Sequence, residues 1–553
     1  MGALTSKPFA FIARPWELKS IASIDLIDGE GINIKFNVRG NAILRVLPKY
    51  TDFLNSEWIN DRVRFNYDGI NRARFRFVNI STIGIDKFLQ LANKKITTLK
   101  KGDRLGWEFA LKHLMRLFNP SLHNLLAIMS PQTDIESVIS VKNLLSRFGS
   151  SDLMFETNNT AKYLLPSNNL KSASSNILPF LAEMALDPDF RINAADLYIL
   201  VGVNIRFESS VMYSKLLKQL SNSFGQKKFI LFNSTAIAHG TNYQSDIFNV
   251  GNKPEVFSKL LEGRHKYSKI IAKAKAPLFI IGAEVALDTR EMLYSWCSKW
   301  SGETSAHYQQ WNPVINCASG ANSAGISVLS SSNIGKFNMR YINSSNYYGI
   351  LLLGDFSKPL QLINDNNRER IAFIINQKSF TDISMPFIKN VVELPQMHTS
   401  ELRSNFMNQF YKKQSTEIAV TVSNDERKPA DILRILFQLW ALENSREADN
   451  LADLRAAERY EPLLKAGHNS VIATNATLKM NDNKELSATD LPNLGKGKSV
   501  VIRKNFNKKG CVSNNNAAHN YFYADKVSQN SAPMALAHKQ REFFDFNTFN
   551  YKY

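Results

Sequence analysis

The sequence predicts an α/β protein with a small β module at the amino end, Rossmann-like parallel sheets through the middle and an irregular basic extension at the carboxyl end. Three observations carry this expectation. Short, wholly apolar runs such as ADLYILVG, APLFIIGA and YYGILLLGD read as strands buried on both faces, as parallel strands are. The stretches between them have helical periodicity, which places covering helices on the sheets. The first fifty residues follow a different pattern, alternating apolar and polar positions around glycines as hairpins do.

From Trp16 to Tyr50, SIDLIDG, INIKFNVRG and AILRVLPKY are read as strands, with Gly29, Gly31 and Gly40 falling between them. The following NSEWINDRVRFNYDGINRARFRF lacks a clear period and is expected to wrap over the module as an ordered loop. After Gly106 strands and helices alternate. HNLLAIMS is a strand. Thr133 and Glu136 are spaced as a capping box for a helix with Ile135, Val138, Val141, Leu145 and Phe148 on its apolar face, and Gly149 closes it. ADLYILVG, KKFILFN, APLFIIGA, YYGILLLGD and RIAFIIN continue the strands; VMYSKLLKQLSNSFG, DTREMLYSWCSKW and DILRILFQLWAL continue the helices. Beyond Ala441 the chain is charged and then Asn- and Lys-rich, read as one helix and a long irregular tail. The expected divisions are residues 1–75, a docking segment and β module; 76–442, an α/β region of two domains; and 443–553, the extension.

At 553 residues the chain exceeds one ordinary core. Its net charge of +19 is concentrated at the ends: residues 1–102 carry 17 Lys and Arg against 9 Asp and Glu, and residues 491–553 carry 10 against 3. No RRM or OB pattern interleaves these cations with stacking aromatics, which argues against nucleic acid and leaves acidic partner proteins as the better match. The longest apolar runs fall short of the roughly 18 residues of a spanning helix, so direct membrane insertion is not expected. Cys297, Cys317 and Cys511 lie far apart, without CxxC or zinc spacing, and are read as packed thiols.

Chemistry is sparse. Gly202, Gly282 and Gly354 end three strands at the edge where doubly wound sheets bind ligands, yet none opens a GxGxxG fingerprint, so tight turns are expected. GANSAG at 320–325 and GKGKS at 495–499 lack the strand context of a phosphate loop. No His occurs in HxxxH or HExxH, and there is no GxSxG. Glu208 and Asp355, near strand ends, are expected to cap a helix or pin a loop rather than act as acid or base.

The opening GALTSKPFAFIARPWEL resembles the segment that directly follows the last cluster-binding cysteine in the largest iron–sulfur subunit of the peripheral arm of respiratory NADH:ubiquinone oxidoreductase, complex I. The resemblance runs on through SIDLIDGEGINIKFNVRG, RVLPKY and NSEWINDRVRFNYDGINRARF, resurfaces in LYILVGVNIRFES and closes in NYFYADKVSQNSAPMALA. It implies sheets of the molybdopterin oxidoreductase type and a structural role supporting the electron path from NADH to ubiquinone, with no catalytic site in this chain. It also implies a split gene: a separate amino-terminal iron–sulfur half would carry the 4Fe–4S and 2Fe–2S clusters, this chain would bind none, and other peripheral-arm subunits would be partners. The expected place is the matrix side of the inner mitochondrial membrane, with an organellar gene needing no leader. Gly2, Ala3, Leu4, Thr5, Ser6 and Lys7 are expected to form a strand in the partner's cleft and surround a partner-held cluster, with Lys7 and Arg14 aiding docking. The alternative reading, an active molybdopterin-dependent oxidoreductase, needs a metal-ligating Cys or Ser and usually a four-cysteine cluster, and residues 1–75 contain no cysteine.

Overall fold

The computed structural model describes residues 5–82, 107, 110, 114, 125–155, 188–222, 227–234, 247–285, 289–296, 313–329, 349–356, 371–381, 390–421, 426–443 and 521–548, with short gaps inside several spans. The amino-terminal module is an antiparallel meander of β1 (Lys19–Ile24), β2 (Asn33–Arg39) and β3 (Ala42–Pro48). Period-2 alternation places Ile34, Phe36 and Val38 of β2 on one face, where they pack with Ile21, Ile43 and Val46. The stretch expected to be a loop is more regular than its pattern suggested. Asn60 accepts from the Arg62 amide (3.0 Å) and caps a short helix α1, Asp61–Phe65, followed by a 3-10 turn over Tyr67–Asn71. One turn of helix is too short to show a period, and a side-chain cap rather than amphipathicity starts it.

Two parallel sheets follow. Strand β4 (Asn79–Thr82) is an antiparallel edge; β5 (Leu125–Met129) and β6 (Asp152–Phe155) begin the first parallel pairings. The chain then leaves to build a second sheet from β7 (Leu197–Val201), β8 (Lys228–Phe232), β9 (Ile247–Gly251), β10 (Pro277–Ile281) and β11 (Val314–Asn316). It returns with β12 (Gly349–Leu353), β13 (Phe373–Lys378) and β14 (Asn390–Pro395). The first sheet has the order β4-β14-β13-β12-β5-β6 and the second β11-β10-β7-β8-β9. A small hairpin, β15 (Asn405–Met407) with β16 (Lys413–Ser415), completes the strands.

Both faces of the five-stranded sheet are covered. Tyr198, Leu200, Leu278 and Ile280 point into one cluster, while Leu197, Ile199, Val201, Phe279 and Ile281 point into another. That is why these strands read as unbroken apolar runs. The expected strands at 125–129, 197–201, 228–232, 277–281, 349–353 and 373–378 are all present. Strands β4, β6, β9, β11 and β14 and the β15–β16 hairpin fall outside the predicted runs. Strand β11 spans three residues, and β9 is partly exposed at a sheet edge, so neither produces a long apolar run.

Helix α2 (Ile135–Arg147) buries Ile135, Val138, Val141 and Leu145, with Phe148 at its end, as expected. Its cap is one residue later than the predicted box. Asp134 accepts from the Ser137 amide at 3.2 Å, and Thr133 instead donates its hydroxyl to the Leu353 carbonyl at 3.3 Å. Glu136 is drawn away to Asn405. Gly149 lies outside the described residues. Helices α3 (Ser210–Asn222) and α4 (Pro429–Glu443) match the predicted stretches, and the described positions of DTREMLYSWCSKW are helical.

At the carboxyl end the described part of the predicted irregular tail is helical: α5 (Lys526–Asn530) and α6 (Ala532–Thr548), preceded by a turn at Tyr521–Tyr523. This strap lies on the amino-terminal module. Val527 joins the β2 core cluster, and a Cβ on Gly69 would overlap the Val527 carbonyl, so only glycine permits this approach.

Candidate functional site

Ligands of doubly wound sheets bind where the strand order reverses. Those points fall between β5 and β12 in one sheet and between β7 and β10 in the other, and the three strand-end glycines stand at them. At the first, the Ser130 amide donates to the Leu353 carbonyl at 2.8 Å, and a Cβ on Gly354, which has φ +93°, would approach Ser130 Cβ to 2.7 Å. Asp355 accepts from the amides of Ser379 (2.8 Å) and Phe380 (3.1 Å), which is the loop-pinning role expected of it; burial raises its pKa. The space left among Ser130, Thr133, Asp134, Asp355, Gln396 and His398 is about 30 Å³, enough for one or two water molecules. His398 is buried, and burial together with the nearby Arg74 pushes it down to about 3, so the ring is neutral at physiological pH. Arg74 itself is held by Glu401 (2.6 Å) and Glu426 (2.8 Å).

At the second switch point the strand-end glycines pack backbone to backbone. The Gly282 amide donates to the Val201 carbonyl at 2.9 Å, a Cβ at Gly282 would overlap the Gly202 carbonyl, and the Val285 side chain lies against Gly202. Glu208 accepts from the Asn204 amide at 2.8 Å, the capping role expected of it. At the first switch point the space left among the described residues is well short of a pterin or a nucleotide.

The amino-terminal segment is built differently. Gly2, Ala3 and Leu4 lie outside the described residues. Thr5 and Lys7 are exposed and Ser6 is half-buried; the Ser6 carbonyl accepts from the amides of Phe9 (3.0 Å) and Ala10 (2.9 Å). These three form a turn rather than the expected strand, because the chain folds back through those two bonds. Phe9 is buried beneath Arg45, whose guanidinium lies 4.2 Å from the ring centroid. Arg39 holds the Ile12 carbonyl at 2.9 Å and Glu17 at 3.1 Å. Phe11, at 92% exposure and φ 62°, Ile12 and Trp16, at 75%, face outward, with Arg14 over the Trp16 ring. Large apolar side chains gathered at an exposed, cation-bearing edge mark an interaction surface.

Sequence reasoning missed a buried acidic hub. Asp25, Asp28 and Glu30, in the loop between β1 and β2, are each at most 3% exposed. Asp28 pairs with Arg62, which also donates to the Tyr521 carbonyl at 3.1 Å and stacks on the Tyr521 ring. Glu30 accepts from the Met212 amide at 3.0 Å, placing a carboxyl at the start of α3. Burial, with the charge of Asp28 second, pushes Glu30 up to about 8. The available signal was three carboxylates within six residues of a chain of net charge +19, with no cation between them. Cys317 is buried beside the Ser209 hydroxyl at 3.6 Å, as a packed thiol; Cys297 and Cys511 lie outside the described residues.

Residues 101–438 match the family model of the molybdopterin oxidoreductases, and the chain belongs to that family. Within it, the chain is related to the largest iron–sulfur subunit of complex I. It is 27% identical to the NADH-ubiquinone oxidoreductase 75 kDa subunit of Reclinomonas americana, over 97% of this chain and 70% of that one. It is also 27% identical to the mitochondrial 78 kDa subunit of Candida albicans, over 97% and 66%. The mitochondrial 78 kDa subunit of Neurospora crassa is 30% identical over 56% of this chain and 38% of its own length. The chain therefore spans about two thirds of the length of the Reclinomonas and Candida relatives. Acetylene hydratase from Pelobacter acetylenicus, a solved structure, aligns at 8% identity and TM-score 0.44 over 80% of this chain and 73% of that one.

Residues 18–68 match a second family model, the NADH-ubiquinone oxidoreductase NDSU1/NuoG-like 4Fe-4S domain. This match does not support the expectation that the chain holds no cluster. The residues themselves bear on it separately. The matched segment contains neither Cys nor His, and among the described residues no group of three or more His, Cys, Asp or Glu is placed to hold a metal ion. Such a cluster is held by cysteine thiolates, so the donors in residues 18–68 do not fit it.

Proposed function

We propose that this chain is a structural subunit of the peripheral, NADH-oxidising arm of respiratory complex I, at the matrix side of the inner mitochondrial membrane. It braces the iron–sulfur path from NADH toward ubiquinone and performs no redox step itself. The observation that carries this reading is the tight packing around the strand-end glycines at both switch points, in a chain whose relatives aligned along 97% of it are complex I subunits. A working molybdopterin site would need the opposite, an open crevice with a ligating side chain.

The 4Fe–4S and 2Fe–2S clusters belong to an adjoining polypeptide equivalent to the amino-terminal part of the relatives. Gly2, Ala3, Leu4, Thr5, Ser6 and Lys7 enter that partner's cleft, where backbone N–H groups donate toward cluster sulfurs and tune the potential. Phe11, Ile12 and Trp16 bury against the same partner, with Arg14 at the rim, within an interface on the order of 2,000 Å². Other peripheral-arm subunits cover the remaining basic surface.

Purification of the intact complex through this chain in mild detergent tests the reading. A separate cysteine-rich iron–sulfur chain and peripheral-arm subunits are expected to travel with it, and the low-temperature paramagnetic signals of the clusters are expected to stay with that chain after dissociation. Stoichiometric molybdenum or tungsten, or a cluster signal retained by this chain alone, would overturn it.

A further inference from the structure

We propose that the carboxyl-terminal strap, residues 521–531, is fastened to the amino-terminal module by a proton-dependent latch, in which, among the described residues, Asp25, Asp28 and Asp525 share the guanidinium of Arg62 and closure takes up a proton. The seam is dry: Asp25, Asp28, Arg62 and Asp525 are 2%, 3%, 4% and 7% exposed. Three carboxylates against one cation leave two uncompensated negative charges if all are ionised, a large penalty in a sealed space.

The hydrogen bonds show where a proton would reside. Asp28 has Arg62 and, at 3.4 Å, the Asn60 amide group, so its charge is the best compensated. Asp25 Oδ1 accepts from the Ile27 amide at 2.9 Å while Oδ2 is buried without a partner among the described residues. Asp525 Oδ2 accepts from the amides of Val527 (3.1 Å) and Ser528 (3.4 Å), capping α5, while its Oδ1 likewise has no partner among the described residues. An unpartnered buried carboxylate oxygen is the natural place for a proton.

Of the other described groups around the seam, Tyr521 donates its hydroxyl to Asn60 Oδ1 at 2.8 Å, Glu30 adds a further carboxyl beside Asp28, Lys215 is engaged by Asp189 and the Leu54 carbonyl, and Lys526, which follows Asp525, is only half-buried. Burial first, then Asp28, raises Asp25 well above the ordinary carboxylate range, and burial raises Asp525. The sign follows: a carboxyl whose pKa is higher when the strap is closed favours closure at low pH and loses that contribution as pH rises through the raised value. The strap is therefore tight in acid and loosens toward alkaline pH.

Hydrogen exchange of the full chain within its complex, corrected for the intrinsic pH dependence of exchange, reads the latch through peptides covering 521–531 and 59–71. Between about pH 5 and about pH 9, the opening constant of the strap is expected to rise up to tenfold per pH unit for each proton released. Asp25→Asn keeps the bond from Ile27 and removes one charge; it is expected to flatten that rise while leaving protection of β7 and β10 unchanged. Asp525→Asn, which can still cap α5, is expected to do the same. Opening that is independent of pH in the wild type, or a rise of unchanged steepness in both variants, would overturn the proposal.

Discussion

The interior of the five-stranded sheet and the charged groups of the seam between residues 25–30 and 521–531 are both buried, yet opposite physics holds them. In the sheet, alternate residues of β7 and β10 sink into two apolar clusters, and the two strands pair in parallel register over five residues. In the seam, a loop carrying three carboxylates meets one guanidinium and a fourth carboxylate from the far end of the chain. Apolar burial is non-directional and tolerates substitution within limits of volume. A buried charge set tolerates little, because removing one partner leaves another charge buried and unpaired. The sheets supply rigidity, and the seam ties the strap at 521–531 to the amino-terminal module.

The sharpest way to break the contrast is to remove the cation. Arg62→Leu strands Asp28 and is expected to lower the stability of the module and strap by about 4 kcal/mol, read as lost exchange protection over 59–71 and 521–531. A change near zero would show that the seam is governed by packing alone. Next is Gly282→Ala, whose Cβ overlaps the Gly202 carbonyl; a loss of about 3 kcal/mol is expected, visible as a lower thermal transition and weaker protection of β7 and β10. Ready tolerance would mean that the second switch point has slack, and would weaken the case against a ligand there.

A pH series sharpens the electrostatic side. Glu30, raised to about 8 from its ordinary 4.5, contributes stability that is complete below about 4.5 and is lost as pH rises toward 8. The wild type should therefore lose on the order of 2 kcal/mol between pH 6 and pH 8 at the junction with α3, and Glu30→Gln should flatten that slope in chemical denaturation. Smaller still is the cap of α2: Asp134→Ala is expected to cost about 1 kcal/mol and Asp134→Asn almost nothing. Smallest is the exposed Arg39–Glu17 pair, where Arg39→Ala should change stability by less than about 1 kcal/mol, although it also frees the Ile12 carbonyl and should loosen residues 12–17 by exchange.

The strands were legible wherever they are buried on both faces, because a run such as LYILV or PLFII has no other economical use in a globular chain. The helices were legible where one face is apolar over three turns. The cap of α2 was misplaced by one residue because Thr133 and Asp134 are both competent caps, and the choice was made by the Leu353 carbonyl, which claims the threonine. The strap reads as a tail in sequence because the contacts that order it come from Asn60, Arg62 and Gly69, more than 450 residues away in the chain. The acidic hub looks like simple turn chemistry, since the glycines around Glu30 are the same whether its carboxyl faces solvent or the start of α3.

By itself the sequence determined the local code: apolar runs, helical periods, glycines at strand ends, and the lack of any thiolate in residues 18–68. Tertiary structure alone decided that β12 returns to β5 after a whole sheet has intervened, that backbone packs tightly around the strand-end glycines, and that residues 25–30 and 521–531 share one charged seam. The physical reason is range. Periodicity and capping act within a few residues, whereas strand partners, close backbone approaches and the compensation of buried charge depend on groups that only the folded chain brings together.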